Sequence, residues 1–68
     1  MSTFRDANQV RLSTKMKLSI YGWYKSSTVV SDTDGYSVVV GVKRIDNQIR
    51  KLISPVVMGV SVKAAVEL

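Results

Sequence analysis

The sequence predicts an all-β protein, an antiparallel meander of about four to five strands forming either an open, dimer-forming sheet or a small closed barrel. Two alternating stretches and one turn carry this expectation. From Val56 to Leu68 every even position is apolar: Val56, Met58, Val60, Val62, Ala64, Val66 and Leu68. From Val10 the even positions again read Val10, Leu12, Thr14, Met16, Leu18 and Ile20. A period of two places successive side chains on opposite faces of a strand, so both runs predict sheets with one apolar face. Asp34-Gly35, between the two runs, supplies the positive φ that a tight hairpin needs.

Taken in order, residues 1–9 predict an N-terminal arm or a short helical turn. In the second case Ser2 or Thr3 caps the segment Phe4 to Val10, with Asp6 near its positive end. The first long strand follows, from Val10 to about Lys25, with Gly22 marking a bulge, a bend or a close backbone approach. Val29 and Val30 start a short edge strand. Ser31 to Gly35 is a turn, without the later ligands that a calcium loop beginning at Asp32 and Asp34 would require. Tyr36 to Arg44 is apolar on both sides, including Val39, as a central strand is. Asp46-Asn47 turns the chain into a short strand over Gln48 to Ile53, Pro55 stops pairing there, and the last strand runs from Val56 to Leu68. That strand ends in mid-pattern, which gives the expectation of a truncated chain.

The chain has 68 residues, which predicts one domain over 1–68. A domain this short buries only about 60% of the surface its unfolded chain exposes. With no cysteine and no histidine, neither a disulfide nor a Cys/His zinc site can staple it. Self-association is the remaining remedy, so a homo-oligomer is expected. No apolar run is long enough to cross a membrane, and the N-terminus lacks an apolar signal region. The expected location is the cytoplasm or a virion interior.

Ten Lys and Arg stand against five Asp and Glu, a net charge of +5. From Ala7 to Ser31 there is no acid, while Arg11, Lys15, Lys17 and Lys25 fall there. Such a stretch is either a solvated face or a patch for phosphate and other polyanions. Read as a strand, it presents Arg11, Ser13, Lys15, Lys17, Ser19, Tyr21, Trp23 and Lys25 on one face. Cations and hydroxyls suit a phosphate–sugar backbone, and aromatic rings suit unstacked bases. The predicted nucleic-acid contacts are therefore Arg11, Lys15, Lys17, Tyr21, Trp23 and Lys25, with Lys43 as an outlying cation. The competing reading makes Tyr21 and Trp23 packing residues at a strand or subunit edge. General acid–base chemistry lacks its usual histidine, and the acids Asp6, Asp32, Asp34, Asp46 and Glu67 are scattered. The expectation is a non-enzymatic protein with no catalytic residue, cofactor or metal, binding RNA or another polyanion.

The runs RLSTKMKLSI, DGYSVVVGVKRI and VVMGVSVKAAVEL are similar to three consecutive strands of single-stranded RNA phage coat proteins. That resemblance implies a capsid protein relative whose dimeric sheet binds an RNA hairpin. KLSIYG and QIRKLISPVV look like the first and last strands of Sm-like RNA chaperones, which implies an SH3-like barrel acting as an oligomeric interaction module. The pieces IYGWY, DGYSV and QI resemble the plasmid-type dihydrofolate reductases, tetramers with one central pore. Their Gln-Ile-Tyr stands here as Gln48-Ile49-Arg50.

Overall fold

The computed structural model describes residues 3–33 and 35–67. The element order is α1 (Phe4–Leu18), β1 (Tyr24–Asp32), β2 (Gly35–Val42), α2 (Asn47–Leu52), β3 (Val56–Val57) and β4 (Val60–Val66). The four strands form one open sheet in the order β1-β2-β4-β3. The fold is thus a small β-rich sheet with two helices on it, rather than all-β, and the sheet does not close into a barrel.

The main correction concerns the first predicted strand. Residues Val10 to Leu18 belong to α1, a helix of 15 residues. Thr3 caps it, its Oγ1 accepting from the Asp6 N–H at 3.2 Å, and Asp6 in the first turn with Lys15 and Lys17 in the last complements the helix dipole. The expected cap at Thr3 is present; Ser2, its alternative, lies outside the described residues. Alternation survives in the sequence because two residues along a helix turn the side chain by about 200°. Even positions therefore alternate between opposite sides. Val10 and Leu18, with Ala7, are buried against the sheet, whereas Leu12, Met16 and Ile20 (just past the helix) point away, the last two about 80% exposed. An isolated helix of this length is marginal, so the inward stripe holds it in place.

β1 and β2 form an antiparallel hairpin, with Gly35 at φ 122°; Asp34 of the expected Asp-Gly turn lies outside the described residues. A bulge between Tyr24 and Ser26 interrupts its register. β2 and β4 then run parallel, with Val38 opposite Val62 and Val40 opposite Ala64. The antiparallel meander is thereby corrected to a mixed sheet. Parallel neighbours need a crossover, and here it contains α2. The segment Gln48 to Ile53, expected as a strand, is mostly this helix. Asp46 caps it, accepting from the Ile49 N–H at 2.9 Å, which turns Ile49 into the core.

The last predicted strand is also divided. Met58 and Gly59 have φ of 51° and 76°, a two-residue turn that folds β3 back on β4. The turn shifts which positions point inward: Val57, opposite Val60, packs against the core while Val56 is 61% exposed. The core comprises Ala7, Val10 and Leu18 of α1, Val38, Val40 and Val42 of β2, Ile49 and Ile53 around α2, and Val60 and Val62 of β4. It lies on one face of the sheet. Fully burying a side chain such as Leu18 contributes roughly 1.5–3 kcal/mol.

Candidate nucleic-acid interface

The helix disperses the cations that strand spacing would have aligned. Arg11 lies on the β1 side of α1: its carbonyl accepts from Ser27 Oγ at 3.3 Å, and Ser27 accepts from the Tyr24 hydroxyl at 3.1 Å. Its guanidinium Nε donates to Asn8 Oδ1 at 3.0 Å. Lys15 follows one turn later on that flank. Lys17 lies on the opposite flank, at the rim of an apolar cleft that includes Leu18, Leu52, Ile53, Val57 and Val62. Lys25 is exposed at the start of β1. One sheet face carrying Arg11, Lys15, Lys17, Tyr21, Trp23 and Lys25 together therefore does not form.

A different grouping forms at the end of the domain where α1 stops. The Ser19 N–H bonds the Lys15 carbonyl at 2.9 Å and the Tyr21 N–H the Leu18 carbonyl at 3.0 Å, winding the chain off the helix. This brings Tyr21 and Trp23 into a stack, with ring centroids 5.0 Å apart and planes 17° apart. Both rings are half-buried and pack on the core. The Lys43 N–H donates to the Trp23 carbonyl at 2.9 Å, which fixes the end of β2 against the same turn. Gly22, Trp23, Lys43 and Arg44 line a shallow, open depression there.

Three of the sequence-predicted residues, Tyr21, Trp23 and Lys43, are thus neighbours in space. Arg44 is the member that sequence reasoning missed; its position next to Lys43, at the end of a strand, was the available clue. Its side chain is 73% exposed and meets Asp46 at 3.6 Å, an exposed pair of little energetic consequence. Glu67 does not neutralise the group directly: its carboxylate accepts from Ser26 Oγ at 3.1 Å and lies over Gly41, where a Cβ would overlap it. The apolar cleft beside Lys17 is better enclosed, but its lining offers one cation and no ring. The Trp23 end combines two stacked rings with two cations.

Among the described residues no cluster of three or more His, Cys, Asp or Glu exists to hold a metal. None of their helices is long and apolar enough to cross a membrane. No family model matches the chain, and no curated protein or solved structure matches it.

Proposed function

We propose that this is a non-enzymatic, self-associating RNA-binding protein, with the Trp23 end of the domain as its contact. The observation that carries the reading is the Tyr21–Trp23 stack beside Lys43 and Arg44. An unpaired base extends the aromatic stack, and the two cations meet the phosphates on either side of it. Stacking tolerates any base, and point charges track a backbone, so the expected ligand is single-stranded and its sequence secondary. Arg11, Lys15, Lys17 and Lys25 contribute as a diffuse positive field that speeds encounter rather than as direct contacts.

A second reading is favoured by the half-burial of both rings against the core. In it, the same end is a protein contact of an interaction module, anchored by Trp23.

Titrating a short unstructured RNA and following anisotropy at two salt concentrations separates the readings. With about two to four phosphates engaged, raising salt from about 50 to 200 mM weakens binding roughly 7- to 50-fold. Lys43→Glu should abolish most of the binding, with circular dichroism unchanged. Affinity indifferent to both salt and Lys43→Glu would overturn the RNA reading and leave the protein contact.

A further inference from the structure

The sheet has one blunt edge and one open one. β3, at one side, pairs over two residues and follows Pro55. β1, at the other, is nine residues long and, among the described residues, neighbours β2 alone in the strand order. Long edge strands usually carry a guard: a charge in mid-strand, a proline or a bulge. β1 has its bulge at the first residues, and from Ser26 to Ser31 it contains neither charge nor proline.

Hydrogen bonding along a strand alternates between its two sides. The Lys43 N–H reaches the Trp23 carbonyl, whereas the Val42 carbonyl accepts from the Glu67 N–H on the β4 side. Odd residues of β2 therefore bond to β1. Their register partners are Ser26, Thr28, Val30 and Asp32. The main-chain groups of Ser27, Val29 and Ser31 consequently face outward from the sheet.

We infer that this edge is a docking strand for a second copy of the chain, paired antiparallel through β1 with Val29 on the two-fold axis. The inference deepens the self-association in the proposed function and rests on it, but not on RNA binding. The strand itself selects the occupant. Ser27-Thr28-Val29-Val30-Ser31 is close to a palindrome in side-chain character, and a two-fold interface must be self-complementary. With Val29 opposite its counterpart, Ser27 meets Ser31 on one face, and Thr28 meets Val30 on the other. The outward groups of Ser27, Val29 and Ser31 in both copies then form about six main-chain hydrogen bonds.

The geometry above the sheet agrees. α1 packs over β1 and β2. With strands about 4.8 Å apart, the two α1 helices would lie roughly 10 Å from one another, a normal distance for side-by-side helices. Arg11 and Lys15, on the β1 flank, would face their counterparts across the axis. Mutual repulsion there is relieved by salt, so pairing persists at high salt while RNA binding fades.

The test is the solution mass of the full chain without RNA, by analytical ultracentrifugation at low and high salt. Wild type should show twice the 7.5 kDa chain mass at both. Ser31→Pro removes an outward N–H without touching a bond to β2 and should halve the mass. Thr28→Lys, at an exposed outer-face position beside Val30 of the second copy, should do the same and serves if the proline variant does not fold. Amide exchange gives a second readout: Ser27, Val29 and Ser31 should be protected in wild type and exchange freely in Thr28→Lys. A wild-type monomer, a dimer seen only with RNA, or a Thr28→Lys dimer would each overturn the inference. A wild-type dimer that binds no RNA would overturn the proposed contact alone.

Discussion

The rings of Tyr21 and Trp23 lie 5.0 Å apart and within 17° of parallel, at the point where the chain leaves α1 for β1. A preformed stack has a specific advantage for a base-binding surface. The platform is already held in place, so little side-chain ordering is charged against binding. Trp23→Ala should weaken RNA binding by about 1–3 kcal/mol, roughly 5- to 150-fold, and Trp23→Phe should recover part of it. Trp23 is the sole tryptophan, so RNA should also quench the intrinsic fluorescence. Unchanged emission on saturation would exclude stacking on this ring.

Thr3 holds the first turn of α1 through one 3.2 Å hydrogen bond. Thr3→Ala should cost about 1 kcal/mol, and Thr3→Asn should restore it. Urea midpoints measure both. Equal midpoints for wild type and Thr3→Ala would show that the sheet alone holds the helix start.

Leu18 is fully buried at the other end of the same helix. Leu18→Ala should cost about 2–5 kcal/mol. A small domain has only about 5 kcal/mol or a little more to lose, so the urea midpoint followed by circular dichroism should fall by roughly a third or more. An unchanged midpoint would place the stabilising contacts elsewhere.

Met58 occupies a left-handed conformation at φ 51°, followed by Gly59 at 76°. Asparagine and glycine favour the first position of such a turn, and a methionine there is strained. Met58→Asn should therefore raise stability, by about 0.5–1 kcal/mol on that strain, without moving β3 or β4. A lower melting temperature would mean that the exposed methionine makes contacts worth more than the strain.

The sequence was most informative where local chemistry decides structure. The hairpin at Gly35, the central valines of β2, the alternation of β4 and the cap at Thr3 are all local. Two features needed more than local pattern. Val10, Leu12, Met16 and Leu18 satisfy a strand's alternation and a helix with apolar residues on two sides equally well; burial of Ala7 under the sheet decides between them. Asp46 is expected as a turn residue ahead of a strand; in the structure it is the N-cap of α2, which orders Ile49 into the core. Of the proposed site, Tyr21 and Trp23 are expected from the sequence on a strand face that does not form, and Lys43 only as an outlying cation. Their meeting depends on the turn after Leu18 and on the Lys43 N–H to Trp23 carbonyl bond, which joins positions 20 apart in sequence.

The double-sided pattern of α1 also bears on how the protein fails. As a helix, Leu12, Met16 and Ile20 are left in water. Unwound into an extended segment, Val10, Leu12, Met16, Leu18 and Ile20 would all fall on one side. That form buries every one of them in an intermolecular cross-β stack, with Arg11, Lys15 and Lys17 repelling on the other side until salt screens them. Heating should therefore end in aggregation seeded by this segment rather than in reversible melting. Met16→Glu, at a site 79% exposed in the native fold, should leave the melting temperature nearly unchanged yet restore refolding on cooling. Thioflavin fluorescence after a heating cycle reads the difference; equal signal from wild type and Met16→Glu would place the aggregating segment elsewhere in the chain.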